Sequence, residues 1–210
     1  MRESPRIRRL RSDYKAMLQL ASESSIIQFA TRGDPPDLYT LRFNGNGVWR
    51  PDGSGDPLIH EMHEVDVNLS ASYPRMQPEL SWKSPIFHPN ISASGVVCLG
   101  GYGTYWVPSV ALDDLVTMLW DMIRYQNYDV ESPYNREAAN WAKMQYLYQL
   151  PLDPRPLRDR VAGFAPPVED DLVPIVEPQA NTVAEVTFIE PQVVPAEMAD
   201  PEDPDILFID

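Results

Sequence analysis

Residues 86–99 read IFHPNISASGVVCL and hold the most informative pattern in the chain. The tripeptide His88-Pro89-Asn90 lies in this stretch, and the only cysteine, Cys98, follows Asn90 by eight positions. Proline followed by asparagine favours a tight turn, which can direct the Asn90 amide at a nearby point. Glycines on both sides of the cysteine let the backbone approach another molecule closely. A lone cysteine is more often a small buried hydrophobe than a nucleophile, so these surroundings support the interpretation that Cys98 is reactive.

The segments on either side predict one helix, a set of strands and two further helices. Apolar residues recur at helical spacing near both ends of the region, and short β-prone runs lie between them. The patterns place helices at residues 5–21, 112–123 and from Asn135, strands at 26–29, 39–43, 63–69 and 80–87, turns at 33–36, 44–47 and 51–57, and a loop at 91–108. This order predicts an α+β fold with an N-terminal helix, an antiparallel four-stranded meander, a long active-site loop and C-terminal helices.

Charge and proline divide the chain. Its 210 residues carry a net charge of −14, which argues against a general nucleic-acid binder. Residues 151–210 hold 14 acidic and 3 basic residues and 11 of the 22 prolines, a composition that cannot bury enough apolar surface to offset its ordering entropy. We therefore predict a domain at residues 1–150 and an acidic, proline-rich, mostly disordered tail at 151–210.

The single cysteine and the three histidines limit the chemistry. One cysteine cannot form an internal disulfide or a multi-cysteine zinc site, and it suits a reducing compartment such as the cytoplasm. No apolar run is long enough for a membrane span. His60 and His63 lie three apart in a predicted strand and should face opposite ways, which disfavours a metal pair. We expect neither a metal nor a cofactor, and a Cys–His hydrolase would have to use His60, His63 or His88.

Five ordered features resemble the ubiquitin-conjugating enzyme family at matching spacing. The family places a Tyr-Pro pair fifteen residues before the His of its His-Pro-Asn motif, a catalytic Cys eight after the Asn, and a Trp eight after the Cys. This sequence has the same intervals, and a Ser-Pro-x-Asn-x-Glu-Ala-Ala segment opens its terminal helix. The matching residues are Tyr73-Pro74, His88-Pro89-Asn90, Cys98, Trp106-Val107-Pro108-Ser109 and residues 132–139.

The resemblance implies a chemistry. Family members accept a ubiquitin-like modifier from an activating enzyme as a thioester on the cysteine, here Cys98, and pass it to an amine, usually a lysine. Asn90 would help to stabilise the oxyanion, directly or by holding the loop, while His88 would support the turn. An acidic residue that helps to present the lysine often precedes the Pro of the terminal-helix segment. Here Ser132 stands at that position, with Glu131 and Asp129 close by, and any of the three could take this role.

The resemblance also implies partner surfaces. In the family, the first helix docks on an acidic domain of the activating enzyme and ligases use an overlapping surface, so the two partners would compete. A solvated face is the ordinary alternative for a basic cluster. Arg75 stands where ring-type ligases usually meet an aromatic residue, which puts that contact in doubt. The expected partner-binding residues are Arg6, Arg8, Arg9, Arg11, Lys15, Arg75 and Pro108.

Departures from the family pattern indicate a divergent branch. Gly100-Gly101 replaces an Asp that often follows the Cys-Leu pair, and the acidic tail is additional. The resemblance is nearest to bacterial relatives encoded beside their own activating enzyme, modifier and metalloprotease, some of them antiphage. In the tail, three short β-prone runs lie between acids, at residues 171–177, 185–190 and 205–210. Each could add a strand to a partner's sheet or reflect chance spacing. A catalytically silent modifier-binding module of the same fold is the alternative function.

Overall fold

The computed structural model describes residues 3–51, 55–99 and 106–163 of the chain. The elements follow the order that the sequence predicts, and they form an N-terminal helix, a four-stranded antiparallel sheet and later helices, as in the ubiquitin-conjugating fold. Their bounds are α1 Pro5–Glu23, β1 Ile27–Gly33, β2 Pro36–Trp49, β3 Leu58–Asn68, β4 Glu79–Trp82, α2 Leu112–Ile123 and α3 Arg136–Met144. None of the helices in the described residues is long and apolar enough to cross a membrane.

Helix α1 begins with a side-chain cap and packs one face on the core. The Ser4 hydroxyl accepts a hydrogen bond from the Ile7 backbone N–H at 3.3 Å, and Pro5 occupies the first turn, where its missing donor costs nothing. Leu10, Met17 and other residues at helical spacing are buried. The prediction of a helix over residues 5–21 is therefore confirmed, with one more half-turn at its end.

The sheet runs β1-β2-β3-β4, each strand antiparallel to the next. The prediction of a turn at residues 44–47 is wrong, because these residues lie inside β2. Asn44 pairs with Met62 and Gly47 with His60, so one extra β2 residue forms a bulge. Gly47 is needed for packing, since a Cβ there would lie 2.6 Å from Cε1 of His63. Sequence alone cannot distinguish a glycine that makes room from one that makes a turn.

The last strand is shorter than predicted. Its ladder ends at Trp82, whereas the sequence indicated a strand over residues 80–87. Pro85 cannot donate a backbone hydrogen bond, so the chain leaves the sheet there. The Trp82 N–H bonds to the Gly95 carbonyl at 2.8 Å, which brings the segment before the cysteine against the sheet.

The strand irregularity opposite the bulge brings His60 and His63 together. Their ring centroids are 5.3 Å apart, and Nε2 of His63 lies 2.9 Å from the His60 carbonyl oxygen. The expectation that they face opposite ways is therefore wrong. Burial lowers the pKa of His63 to about 4, so the ring is neutral near pH 7. The described residues hold no group of three or more His, Cys, Asp or Glu side chains placed to bind a metal ion.

Residues 151–163 belong to the folded domain, which corrects the predicted boundary at residue 150. Leu157 is 1% exposed. The Asp159 carboxylate accepts a hydrogen bond from the Ser25 N–H at 2.7 Å, and Arg158 pairs with Glu23 and Asp113. All three basic residues of the predicted tail lie in this segment, at positions 155, 158 and 160. Averaging the charge over residues 151–210 concealed these three basic residues. The three β-prone runs of the tail, at residues 171–177, 185–190 and 205–210, lie outside the described residues.

Candidate active site

The His88-Pro89-Asn90 turn is buried and is stabilised by a hydrogen bond within the turn. Nδ1 of His88 accepts a hydrogen bond from the Asn90 N–H at 3.1 Å, which requires a neutral ring. Burial lowers the pKa of His88 to about 3. Its ring packs edge-on against that of Tyr125 at a centroid distance of 4.9 Å. His88 therefore supports the turn and is poorly placed to carry protons.

Cys98 is half-buried and held by the same turn. Its N–H donates to the Asn90 carbonyl at 2.8 Å, and Ile91 forms a bridge with Val97. The chain therefore reverses direction between Asn90 and Cys98, and the eight-residue interval brings the cysteine back beside the His-Pro-Asn turn. Gly95 has φ of +82° and lies so close to the Trp82 carbonyl that a side chain would clash, so glycine is required at that point.

Both ends of the Asn90 amide are hydrogen-bonded to the backbone of one residue, Asp129. Its Nδ2 donates to the Asp129 carbonyl at 2.9 Å, and its Oδ1 accepts from the Asp129 N–H at 2.7 Å. One Nδ2 hydrogen is left over from these contacts. The resemblance implies that Asn90 either stabilises the oxyanion directly or holds the loop. These two hydrogen bonds hold the loop at Asp129.

The three residues considered for presenting the lysine lie differently. Asp129 accepts hydrogen bonds through Oδ1 from the N–H groups of Glu131 and Ser132, at 2.8 and 3.3 Å, so its carboxylate shapes the loop. Glu131 is exposed and pairs with Lys143 at 2.9 Å, and Ser132 is exposed. A cavity of about 30 Å³ joins Asp129 to Asn90 and Cys98, and Glu131 and Ser132 do not line it. Asn127 and Met122, which sequence reasoning did not identify, complete this wall.

Tyr134 is a further residue beside the cysteine that sequence reasoning did not single out. Its N–H and that of Asn135 both donate to the Pro89 carbonyl, at 2.8 and 2.9 Å. A negative charge on the nearby Cys98 raises the pKa of Tyr134. The signal available in the sequence was the position of Tyr134 in the Ser-Pro-x-Asn segment, directly before the cap of α3.

The basic residues of α1 fall into two groups. Arg9 bonds Asp13 at 2.8 Å and the Tyr73 hydroxyl at 2.8 Å, and it reaches the Pro108 and Val110 carbonyls. Arg6 likewise bonds the carbonyls of Leu69 and Ser70. These two arginines bind α1 to neighbouring loops and leave little of their charge for a partner. The exposed basic residues of α1 among those proposed are Arg8, Arg11 and Lys15, of which Arg11 pairs with Glu3 at 2.5 Å.

Two loops beside α1 lie together. The indole Nε1 of Trp106 donates to the Pro74 carbonyl at 2.7 Å, which joins the loop after β3 to the loop before α2. Arg75 and Pro108 are both exposed on this joined surface, and Val107 is 51% exposed. The Gly100-Gly101 pair that departs from the family pattern lies outside the described residues.

Comparisons with known proteins agree with the fold and the motifs. The family model described as "Ubiquitin-conjugating enzyme" matches residues 52–149. The "Ubiquitin-conjugating enzyme E2 2" of Candida albicans is 27% identical over 145 residues, covering 67% of this chain and 72% of its own length. The "Probable ubiquitin-conjugating enzyme E2 31" of Arabidopsis thaliana is 22% identical over 123 residues, covering 55% of this chain and 79% of its own length.

A solved structure supports the fold alone. The structure of S. cerevisiae Ubc12 superposes with a TM-score of 0.53 at 20% identity, covering 70% of this chain and 75% of its own. With the helix–sheet–helix order and the paired spacing of turn and cysteine, these findings define the class of protein. The domain that contains residues 52–149 belongs to the ubiquitin-conjugating enzyme family.

Proposed function

We propose that this chain accepts a ubiquitin-like modifier from an activating enzyme as a thioester on Cys98 and transfers it to an amine, usually a lysine, of a target protein. The observation that carries this proposal is the placement of Cys98. Its side chain is half-exposed while its backbone bonds to Asn90, so a reactive sulfur is presented from a rigid turn. The reactive form is the thiolate, and a thioester divides one difficult transfer into two easier ones.

In the transfer step, the amine attacks the thioester carbonyl and the oxygen becomes negatively charged. Asn90 acts by fixing the loop at Asp129 and through its remaining Nδ2 hydrogen. Removing one donor to such an oxyanion typically costs about 2.7–4 kcal/mol of barrier. Asp129 lines the cavity that Asn90 and Cys98 share, which favours it over Glu131 and Ser132 as the residue beside the incoming amine.

The exposed residues beside and on α1 indicate where the activating enzyme and a ligase would bind. Arg8, Arg11 and Lys15 form the basic face of α1, and basic side chains speed the encounter with an acidic domain of the activating enzyme. The joined loops with Arg75 and Pro108 are the surface for a ligase, if one is used. Because a thioester cycle needs a free thiol, we propose a reducing compartment, the cytoplasm. A place in a bacterial conjugation operon, with a role in antiphage defence, remains part of the proposal.

Two competing functions are weaker. A Cys hydrolase needs a base beside the thiol, and His88 is buried, neutral and bonded to the Asn90 N–H. A silent modifier-binding module would not need a reactive cysteine beside Asn90. The hydrolase would be revived by peptide-bond cleavage, and the binding module by a modifier complex without a covalent bond.

The test is expression in the native host of wild type, Cys98→Ser and Cys98→Ala. Serine converts a labile thioester into an oxyester that survives reducing gels, whereas alanine forms no adduct. We expect a band heavier by roughly one small modifier domain for serine only, and mass spectrometry of that band identifies the modifier. If the serine variant forms no adduct, even when an activating enzyme encoded beside this chain is co-expressed, the proposed enzyme function fails and the modifier-binding module becomes the favoured function.

A further inference from the structure

Strand β1 is an open edge of the sheet along its middle. Among the described strands it pairs with β2 and with no other. The Asn44 N–H donates to the Ile26 carbonyl at 2.8 Å, and hydrogen-bonded pairs alternate with non-hydrogen-bonded pairs along an antiparallel ladder. At this register the backbone groups of residues 28, 30 and 32 therefore point to β2, and those of Phe29 and Thr31 point away from the sheet.

The outward backbone groups of Phe29 and Thr31 have no hydrogen-bond partner in the described part of the chain. An unpaired strand edge is a template for another chain, and proteins usually protect it with charges, bulges or a covering segment. On β1 the register shift lies at the end, between Arg32 and Gly33, so it leaves the middle of the edge unprotected. Two N–H groups and two carbonyls are therefore available to a partner.

A groove between α1 and β1 follows the same edge. Its volume is about 430 Å³, and Leu18, one of the α1 residues that line it, is 49% exposed. Its walls are largely apolar and include Tyr14, Leu18 and Ala21 of α1 and Ile27, Phe29 and Thr31 of β1. Because successive side chains of a strand point to opposite faces, every second side chain of a strand added beside β1 would enter this groove.

Basic side chains border this groove. Arg160 lines it beside the end of α1. Lys15 on the α1 side and Arg32 on the β1 side are exposed, and the exposed Asp34 of the next turn offsets part of their charge. The described residues that line the groove include no Asp or Glu. The charge therefore suits an occupant in which acidic residues flank an apolar run.

We propose that the β1 edge binds an extended segment of a partner protein, which adds as a fifth strand, buries every second apolar side chain in the groove and carries acidic residues on either side of its apolar run. Phe29 and Thr31 supply the main-chain hydrogen bonds that give affinity, while the groove and the basic residues select the side chains. Strand β1 lies at the opposite edge of the sheet from β4, which the segment before Cys98 contacts. The site therefore goes beyond the proposed transfer reaction, and binding there requires no thioester.

A second copy of this chain is the other occupant that an open edge admits. Two β1 strands related by a twofold axis would pair antiparallel, because such an interface uses the same surface of both copies. Arg32 of each copy would then lie towards Arg160 of the other, and like charges brought together oppose the pairing. A partner segment with acidic flanks meets no such repulsion, which is why we assign the edge to it.

The first test measures binding of a labelled peptide to the full-length chain by fluorescence anisotropy. The peptide holds a run of valine and isoleucine between paired acidic residues, and two further versions are N-methylated on one or the other set of alternate amides. N-methylation removes a backbone donor, and only one of the two sets faces β1 in an added strand. We expect one N-methylated version to bind more than about tenfold more weakly and the other to bind like the parent peptide.

Three results of this test would contradict the proposal. Equal affinities of the two N-methylated versions would exclude strand addition, because side-chain contacts alone do not distinguish the two sets. Absence of binding by the parent peptide at about 1 mM, the weak end of the affinity scale, would exclude the site itself. We expect a version with lysine in place of the acidic residues to bind several-fold more weakly at low salt, and an unchanged affinity would contradict the assigned charge preference.

The second test locates the bound peptide with variants of β1 and α1. Thr31→Pro removes one outward N–H and leaves the ladder donors of the neighbouring residues in place, so we expect binding about five- to tenfold weaker. Thr31→Val keeps the N–H and is the matched control, which should bind like wild type. Leu18→Asp places a negative charge in the groove from an exposed helix position, and it should weaken binding whether or not the proline variant folds.

Wild-type affinity in Leu18→Asp would place the peptide elsewhere and overturn the proposal. Light scattering of the peptide-free chain tests the second copy, and we expect a monomer. A dimer that Thr31→Pro dissociates and Thr31→Val retains would instead make a second copy the occupant of the edge. Because every measurement uses uncharged protein, the β1 site and the proposed transfer function can fail independently.

Discussion

At the scale of the residue, Asn90 shows how a side chain near a nucleophile can act through the backbone. The motif and its interval to Cys98 could be predicted from the sequence, because both depend on positions close together in the chain. The partner of the Asn90 amide could not, since Asp129 lies 39 positions later. Tyr134 was missed for the same reason. Contacts across such separations depend on how α2 and the following loop pack, which no local pattern records.

Replacing Asn90 by alanine removes both hydrogen bonds to Asp129. We expect the rate of discharge to lysine to fall by about 10²-fold or more, the usual effect of losing an oxyanion donor, with a smaller effect on charging. If Asn90 holds the loop, amide hydrogen exchange at Asp129 accelerates as well, because its N–H loses the acceptor Oδ1. Slow exchange at Asp129 combined with slow discharge would instead assign Asn90 a direct role on the oxyanion. Normal discharge would exclude both roles.

At the scale of the element, the order of helices and strands was predictable and the interruptions were not. Periodicity in α1 and α2 comes from burying one face on a common core, so the sequence records it directly. The glycines at 45 and 47 are read as a turn because glycine supports turns. In the structure they leave room for Trp120 and His63, which are 75 and 16 positions away, respectively. That requirement is a property of packing and not of the local chain.

Substituting Gly47 by alanine tests the packing explanation of the bulge. A Cβ would lie 2.6 Å from Cε1 of His63, so we expect the free energy of unfolding to fall by about 1–3 kcal/mol, as overpacking commonly costs. The double variant with His63→Ala removes the ring that clashes, and its loss should be smaller than the sum of the two single losses. Urea denaturation measures all three. Additive losses would mean that Gly47 is required for its backbone conformation instead.

At the scale of the whole molecule, the folded part is larger than composition indicates. Prolines and acids continue past residue 150, yet Leu157 and Asp159 are both buried, and Asp159 accepts a hydrogen bond from Ser25 just before β1. Trp120 also donates its Nε1–H to the Arg155 carbonyl at 2.9 Å. A composition average measures what a segment can bury by itself. It does not measure what an existing core can bind, and residues 151–163 are stabilised by surfaces that α1 and α2 already provide.

The folded domain also buries two neutral histidines, His63 and His88, and their burial makes the free energy of unfolding depend on pH. Burial lowers the pKa of His63 to about 4 and that of His88 to about 3, while an unfolded histidine titrates near 6.5. Below pH ~6.5 the unfolded chain therefore binds more protons than the folded one, and stability is lost as the pH falls towards the folded values. Each histidine contributes a slope of up to about 1.4 kcal/mol per pH unit.

We expect urea denaturation at pH 7, 6 and 5 to show this falling free energy of unfolding in wild type. His63→Gln should remove about half of the histidine slope, because one of the two titrations disappears. The neighbouring His60→Gln, at a half-exposed position, should largely keep it. A slope that is identical in wild type and His63→Gln would mean that His63 is protonated in the folded chain, and its ring would then need an acceptor at Nδ1, which has no partner among the described residues.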